Sequence, residues 1–185
     1  GLNLDGLLFH LGSSIFEREP YQEAIRLVLH FAAKMREKHR FELKELDVGG
    51  GFAVQYTLDS PAPAIGDYAE AIVSTFLVEG KRIALNPARL VVEPGRAIVG
   101  QAGVALYRVG GMKEIPGIRK YVFIDGGMGD NIRPSLYGSR YEALVANKAG
   151  VIGRERVTIA GKFCESGDIL IDDNELPPIS VDDII

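Results

Sequence analysis

The sequence of 185 residues predicts an α/β half followed by a β half. Up to about residue 98, short apolar runs alternate with longer segments whose apolar residues recur at helical spacing, in the order β-α-β-α-β. After that point, short segments rich in Val, Ile, Tyr and Thr are separated by glycine or proline, and no helix-length amphipathic segment lies between them. These two patterns predict one unit over residues 1–98 and a second over residues 99–185.

In the first half, apolar runs predict strands over residues 4–9, 43–48 and 90–93. Helical periodicity predicts helices over residues 21–38 and 67–79, with Gly80 ending the second. The residues expected on the buried faces of the two helices are Ala24, Ile25, Val28, Phe31, Ala32 and Met35, and Tyr68, Ile72, Val73, Phe76 and Leu77. Alternating strands and helices indicate parallel strands joined by helical crossovers.

In the second half, strands are predicted over residues 104–109, 120–124, 141–147, 155–160 and 168–171, forming an antiparallel sandwich or barrel. Three parallel strands and two helices cannot cover both faces of a sheet. The chain also starts without Met and stops without a clear terminal element. We therefore expect both units to be incomplete and the chain to be a piece of a longer protein.

Composition narrows the possible functions. The chain is 46% apolar and 25% charged, as is usual for a globular protein. A net charge of −4 argues against nucleic acid as a partner. A single cysteine favours a reducing compartment, and we expect the cytoplasm. No apolar run approaches the roughly 18 residues of a membrane-spanning helix, so no membrane association is predicted. The first residues do not form a signal peptide.

Polar and glycine-rich clusters directly follow each predicted strand of the first half. His10 and Ser13 follow the first strand, Gly49–Gly51 follow the second, and Glu93 and Arg96 follow the third. In parallel α/β folds the carboxyl ends of the strands form the rim of the active site. Taken singly, these are a loop histidine, a tight turn and a rim ion pair. Together they favour an anion nest of glycine N–H groups, a carboxylate for a cationic nitrogen, and an arginine for a phosphate or carboxylate.

Two further clusters lie in the second half. Residues 125–130 lead into Arg133 and Tyr137, and an Arg and a Tyr four residues apart can clamp a carboxylate. The segment 164–168 lies between two predicted strands and contains Cys164 beside two carboxyl groups, those of Glu165 and Asp168. A cysteine in such a setting can donate a proton while the acids bind an amine. The structural alternative is that the glycines form turns and that Cys164 is a small buried apolar residue.

The motifs HLGSS, LDVGGGF, VVEPGR, DGGMGDNIRPSLY and FCESGD occur in the order and approximate spacing of diaminopimelate decarboxylases. The chain thus resembles this family of alanine-racemase-like, fold-type III pyridoxal-phosphate enzymes over nearly its whole length, and EPGR together with CESGD is highly specific. The resemblance implies a (β/α)8 barrel followed by an antiparallel β-domain, with two active sites at a homodimer interface. Residues 1–98 would be the C-terminal portion of the pyridoxal-phosphate-binding barrel, and residues 99–185 the truncated β-domain.

The resemblance also implies roles for individual residues. Those implied to bind pyridoxal 5′-phosphate are His10, Ser13, Gly49, Gly50, Gly51, Glu93, Gly95 and Arg96. His10 would stack on the cofactor ring, and Glu93 would keep the ring nitrogen protonated so that the ring accepts electrons. Those implied to bind an amino-acid substrate are Arg96, Arg133, Tyr137 and Glu165. Cys164, His10 and Glu93 would be catalytic, Cys164 and Glu165 would reach into the partner's site, and no metal site is predicted.

The activity implied by the resemblance is decarboxylation of meso-2,6-diaminopimelate to L-lysine and CO2, the last step of lysine biosynthesis. The alternatives are a related decarboxylase of arginine, ornithine or carboxynorspermidine, and a non-catalytic decarboxylase-like binding protein. Glu165 favours the diaminopimelate branch because ornithine-type members carry Asp there. The lysine that binds the cofactor covalently in this family lies on an early barrel strand. We expect this piece to lack that lysine and to be inactive alone.

Overall fold

The computed structural model describes residues 2–85 and 89–185. The chain divides into two compact units: unit 1 comprises Gly1–Gln55 and Ser60–Gly103, and unit 2 comprises Tyr56–Asp59 and Val104–Ile185. The assignment of residues 1–98 and 99–185 to two domains of a longer protein remains a prediction. In the described part of the chain, no helix is long and apolar enough to cross a membrane.

Unit 1 has the predicted alternation of strands and helices. Its elements are β1 (Gly6–Leu8), α1 (Glu19–His39), β2 (Glu45–Asp47), α2 (Ile65–Arg82), β3 (Arg89–Val91) and the short α3 (Gly95–Val99). The strands form a parallel sheet in the order β1-β2-β3. The β-α-β-α-β prediction is therefore confirmed. The strands are shorter than the apolar runs that predicted them, and α3 was not predicted.

The helices of unit 1 bury narrower stripes than the sequence pattern suggested. The buried apolar side chains of the helices are Tyr21, Ile25, Leu29 and Ala32 on α1, and Tyr68, Ile72 and Phe76 on α2. Phe31, Val73 and Leu77 were predicted to face inward, but their exposed fractions are 50%, 44% and 62%. That part of the prediction is wrong. Each helix contacts the core along one line of residues, and apolar residues beside that line stay outside the contact.

Unit 2 is built on a mixed sheet. Its elements are β4 (Val109–Ile115), β5 (Arg119–Ile124), α4 (Arg133–Tyr137), a 3-10 turn (Ala146–Lys148), β6 (Glu155–Ala160) and β7 (Ile169–Leu176). The strand order is β4-β5-β6-β7. The antiparallel prediction holds for β4–β5 and β6–β7 and is wrong for β5–β6, which is parallel. The long connection over residues 125–154, which contains α4, returns the chain to the same end of the sheet and makes parallel pairing possible.

Two predicted strands of unit 2 are absent. Residues 104–107 form no strand, and Tyr107 instead exchanges two backbone hydrogen bonds of 2.8 Å with Ile185. Residues 141–147 form a loop that enters the 3-10 turn, and of this stretch Val145 is buried in the core. The first segment forms its backbone hydrogen bonds outside the sheet, and the second buries an apolar side chain without joining it. A composition rich in strand-forming residues was therefore not enough to predict a strand. The strand over residues 155–160 was predicted with its observed bounds.

Candidate active site

The three strands of unit 1 end side by side, and backbone hydrogen bonds continue beyond them. The Phe9 N–H donates to the Asp47 carbonyl at 3.1 Å, and the Glu93 N–H donates to the Gly49 carbonyl at 2.8 Å. The segments that carry His10, the glycine triplet and Glu93 therefore leave the sheet together. The structure brings the three sequence clusters of the first half to one edge, as expected for the carboxyl ends of parallel strands.

The glycine triplet is required by close backbone approach. A Cβ atom on Gly50 would overlap the carbonyl oxygen of Glu93, and a Cβ atom on Gly51 would overlap the carbonyl oxygen of Gly12. Gly49 and Gly51 also have φ angles of 69° and 89°, in the left-handed region that side chains disfavour. The triplet thus lets three loops converge more closely than any other residue type would allow.

We call Gly49–Gly51, together with the loops that carry His10 and Glu93, the glycine cradle. Hydrogen bonding within the glycine cradle differs from the predicted anion nest. The Gly49 N–H donates to Asp47 Oδ1 at 2.8 Å, and the Gly50 N–H donates to His10 Nδ1 at 3.3 Å. Two of the three glycine N–H groups are therefore engaged internally, and binding of an anion by this turn remains a prediction. Because His10 Nδ1 accepts a hydrogen bond, the proton of a neutral His10 ring lies on Nε2.

Tyr21, on α1, contacts the glycine cradle and was not identified as a site residue from the sequence. Its hydroxyl donates to the Gly50 carbonyl at 2.8 Å, and its ring stacks against Phe52 with centroids 5.3 Å apart. Burial, together with the neighbouring Tyr68, raises the pKa of Tyr21 to about 12. Tyr21 therefore remains a donor at neutral pH. At sequence level it is one more apolar-face residue at the start of a helix, and nothing in the pattern distinguishes it.

The second group of predicted residues lies in unit 2. Arg133, at the start of α4, donates from Nε to the Tyr141 hydroxyl and from Nη2 to Ser139 Oγ, both at 3.1 Å. Its guanidinium carbon lies 5.5 Å from the ring centre of Tyr137 and 6.0 Å from that of Tyr56. Arg133 and Tyr137 are therefore adjacent, as the clamp prediction requires. Tyr56, Ser139 and Tyr141 complete this environment and were missed, because they come from other segments.

Arg133 keeps its charge available. Within the described ranges its polar partners are hydroxyl groups, and it forms no ion pair with a carboxylate. A half-buried guanidinium surrounded by aromatic rings and hydroxyls is suited to bind a carboxylate with two parallel hydrogen bonds.

Cys164 and Glu165 lie on the turn between β6 and β7. Both are exposed, so the alternative of a small buried cysteine is wrong. Cys164 lines a depression of about 490 Å³ together with Lys162, Phe163 and Asp125. A larger cleft of about 870 Å³ elsewhere in unit 2 is lined by α4 and β7 but not by Arg133, Tyr137 or Cys164. Ser139 and Tyr141, the two residues that bind the Arg133 side chain, line this larger cleft.

Asp168 does not act as predicted. The sequence pattern placed it among carboxyl groups that bind an amine. In the structure it is 3% exposed, and its carboxylate accepts hydrogen bonds from the Met128 N–H at 2.5 Å and the Phe163 N–H at 2.8 Å. These backbone groups occupy the carboxylate, and the amine-binding assignment for Asp168 is therefore wrong. Glu165 remains the exposed carboxylate of this turn.

Comparisons with known proteins identify the family. Residues 1–100 match the family model described as "Pyridoxal-dependent decarboxylase, pyridoxal binding domain". The chain belongs to the pyridoxal-dependent decarboxylase family.

Individual relatives show which members of the family the chain is similar to. The chain is 41% identical over 184 residues to diaminopimelate decarboxylase of Bacillus subtilis, covering 100% of this chain and 42% of the relative. It is similar in fold to diaminopimelate decarboxylase of M. jannaschii in complex with L-lysine, with a TM-score of 0.83, 33% identity, and coverage of 97% of this chain and 40% of that one. It is also similar to lysine/ornithine decarboxylase of Vibrio vulnificus complexed with cadaverine, with a TM-score of 0.82, 25% identity, and coverage of 98% and 46%.

The chain spans between 40% and 46% of the length of these relatives. The part present fits the pyridoxal phosphate implied by the family through the chemistry of its side chains, because the segments that carry His10, the glycine triplet and Glu93 leave the sheet together. The loops leaving that cradle supply an imidazole, a hydroxyl, a carboxylate and a guanidinium. This set suits a ligand with an anionic phosphate and a protonatable ring nitrogen.

Proposed function

We propose that the full-length protein is a pyridoxal-phosphate-dependent decarboxylase that converts meso-2,6-diaminopimelate to L-lysine and CO2. The observation that carries the proposal is Arg133, a half-buried guanidinium held by hydroxyls beside Tyr137. A decarboxylase whose substrate has a second carboxylate needs a cationic group to bind it. A decarboxylase of an amino acid with a single carboxylate, such as ornithine, does not need this extra cation. The relatives named as diaminopimelate decarboxylases support the same choice.

The cofactor would be held by residues of unit 1. His10 would stack on its ring, while Ser13, the glycine triplet, Gly95 and Arg96 would surround its phosphate. Glu93 would accept a hydrogen bond from the ring nitrogen and keep it protonated, because a carboxylate stabilises a nearby cation. When bound, the cofactor supplies an electron sink for the bond that breaks as CO2 leaves. Tyr21 and Asp47 would keep the cradle in shape through their hydrogen bonds to Gly50 and Gly49.

The substrate would be held mainly by residues of unit 2. Arg133 and Tyr137 would bind the carboxylate at the far end of diaminopimelate, with Arg96 assisting, and Glu165 would bind the far ammonium group. Cys164 would give a proton to the carbon that has lost its carboxyl group. In the homodimer that we propose, Cys164 and Glu165 serve the partner's site while Arg133 and Tyr137 serve their own. The compartment that we propose is the cytoplasm.

The related amino-acid decarboxylases and the non-catalytic homologue are less consistent with these side chains. L-Ornithine and L-arginine have no second carboxylate, so their binding would leave Arg133 desolvated and unpaired, a cost that sites of this kind use to reject analogues. The non-catalytic alternative is also less consistent with the relatives, which are named as decarboxylases.

Replacement of Arg133 tests the proposal. In the full-length protein, we expect CO2 release from meso-diaminopimelate and little from L-ornithine or L-lysine. Arg133→Met should cost about 2–4 kcal/mol in kcat/KM for diaminopimelate, the range for losing one partner of a desolvated charge pair. The matched control is Arg154→Met, because Arg154 is an exposed arginine of the same unit. Equal activity of wild type on ornithine, or an unchanged kcat/KM in Arg133→Met, would contradict the proposed substrate.

A further inference from the structure

The geometry points to Asp168 as a positioning residue that fastens two turns of unit 2 to each other. The first, the glycine turn, comprises residues 125–130; the second, the cysteine turn, comprises residues 161–168. The first leads to Arg133 and Tyr137, and the second carries Cys164 and Glu165. The roles given to the side chains on these turns rest on the proposed function. The link that Asp168 makes between the turns is seen in its hydrogen bonds.

Asp168 uses one carboxylate oxygen for each turn. Oδ1 accepts from the Met128 N–H of the glycine turn at 2.5 Å, and Oδ2 accepts from the Phe163 N–H of the cysteine turn at 2.8 Å. A carboxylate that is 3% exposed must be satisfied by such donors, since burying it without partners is costly. A third link joins the turns directly, because the Lys162 N–H donates to the Gly126 carbonyl at 3.0 Å.

Both turns are shaped around this carboxylate by glycine. A Cβ atom on Gly127 would lie 2.6 Å from Oδ1 of Asp168, and a Cβ atom on Gly161 would overlap Oδ2. Gly161 has no unusual φ angle, so space for the carboxylate is the reason for glycine there. Side chains on either turn would push the carboxylate out of its position between them.

The two turns pass this constraint to the functional side chains. Beyond the glycine turn, Asn131 Oδ1 accepts from the Arg133 N–H at 3.2 Å and so sets the start of α4. On the other side, Ser135 Oγ of α4 lies 2.6 Å from where a Cβ atom on Gly167 would be. The cysteine turn and α4 are therefore in close contact. Asp168 fixes the separation between the substrate-binding arginine and the proposed proton donor.

In the proposed homodimer this arrangement has a consequence for both active sites. If Arg133 serves its own subunit's site and Cys164 serves the partner's, then each Asp168 supports one turn in each site. A defect at Asp168 in a single subunit should damage both sites of the dimer. A defect at Glu165 in a single subunit should damage only one.

The test uses the full-length enzyme as purified heterodimers of one wild-type and one variant subunit, carrying different affinity tags. With Glu165→Gln as the variant subunit, we expect about half of wild-type activity, because one of two sites stays intact. With Asp168→Asn, whose amide has a single acceptor oxygen for two donors, we expect activity well below half. The Asp168→Asn homodimer should show a raised KM and a lowered kcat, with kcat/KM reduced roughly tenfold or more.

A structural readout accompanies the kinetics. Amide hydrogen exchange in Asp168→Asn should accelerate at Met128 or Phe163, the two residues whose N–H groups the carboxylate binds. Gly161→Ala should reproduce the same exchange and kinetic pattern with Asp168 intact, which covers the case in which Asp168→Asn does not fold. Asp173→Asn is the charge-matched control, since Asp173 is exposed and its positive φ of 51° suits asparagine.

The outcomes separate the inference from the proposed function. If the Glu165→Gln heterodimer departs from half activity, the proposal that each Glu165 serves a single site fails, and the exchange and homodimer kinetics still decide the role of Asp168. If the Asp168→Asn heterodimer retains half of wild-type activity, Asp168 supports only one site and the inference is overturned. Unchanged exchange at both amides, or a KM and kcat equal to wild type per folded dimer, would also overturn it.

Discussion

The strand ends of unit 1 and the two turns of unit 2 achieve precise geometry by opposite means. In unit 1, glycines remove side chains so that backbone segments meet, and a Cβ atom on Gly50 would overlap the Glu93 carbonyl. In unit 2, the buried carboxylates of Asp168 and Asp183 accept backbone N–H groups and hold loops together. The first kind of site tolerates no added atom. The second tolerates no lost charge.

The largest effect should follow from adding one carbon to the cradle. Gly50→Ala in the full-length protein should lower the free energy of unfolding by about 3 kcal/mol or more, because the overlap is with backbone, which cannot rotate away. Pyridoxal phosphate should bind weakly or not at all. Thermal unfolding and cofactor titration measure both.

The control for the cradle is Gly66→Ala. Gly66 lies exposed in the first turn of α2, with no atom within 4 Å of an added Cβ. Alanine is the better helix former, so this variant should be as stable as wild type or up to about 1 kcal/mol more stable. If Gly50→Ala unfolds at the same temperature as the Gly66→Ala control and binds cofactor normally, the close packing described for the glycine cradle of unit 1 is wrong.

A smaller effect is expected at Asp183. Its carboxylate is 4% exposed and accepts from the Lys148 ammonium at 2.5 Å, the Ser180 N–H at 2.7 Å and the Asn147 side-chain amide at 2.8 Å. Asp183→Asn should cost about 1–3 kcal/mol in the free energy of unfolding, since it leaves buried donors unpaired. Asp182→Asn, at the exposed neighbouring residue, should change it by less than about 0.5 kcal/mol.

The pH dependence of this effect has a definite sign. Burial alone would raise the pKa of Asp183, but hydrogen bonds from Lys148, Asn147 and Ser180 outweigh it and lower the pKa. A lowered folded-state pKa contributes stability above the unfolded value, near 4 for Asp, and loses it as the pH falls towards the folded value. The difference between wild type and Asp183→Asn should therefore shrink below about pH 4 in urea titrations. A difference that grows on acidification would contradict this account.

The smallest effect is expected for Tyr21→Phe, which removes one hydrogen bond to the Gly50 carbonyl and keeps the ring. We expect a loss of about 1 kcal/mol in the free energy of unfolding. Because burial raises the pKa of Tyr21 to about 12, wild type should lose stability between about pH 10 and 12 as the unfolded state ionises, and the variant should lose less. Parallel pH curves for the two proteins would show that Tyr21 is not buried as described.

The same comparison explains how much could be predicted from sequence. Gly49–Gly51 predicted a turn or an anion nest, and the strands before His10 and Glu93 placed the clusters at one edge. The close approach of the triplet to the Glu93 and Gly12 carbonyls was visible only in the structure. Asp168 was misassigned because its partners are N–H groups at Met128 and Phe163, which no side-chain pattern encodes. Sequence could also not give the parallel pairing of β5 and β6, since the long connection between them allows either direction.

The surroundings of Arg133 mark a similar limit. Its spacing from Tyr137 could be read along α4, whereas Tyr56 and Tyr141 come from segments whose approach depends on the fold of unit 2. The prediction that Phe31 and Leu77 are buried fails for a related reason. Apolar residues at helical spacing indicate which face of a helix is buried, but not how wide a stripe of that face the neighbouring elements cover.

We propose that the full-length enzyme is a dimer in which Arg133 and Glu165 of each subunit serve different active sites. Subunit exchange between full-length Arg133→Ala and Glu165→Gln proteins tests it most directly. Each parent should be nearly inactive, and an equal mixture should regain about a quarter of wild-type activity on meso-diaminopimelate, since half of the dimers then hold one intact site. A mixture that stays as inactive as its parents, despite verified exchange, would contradict the claim.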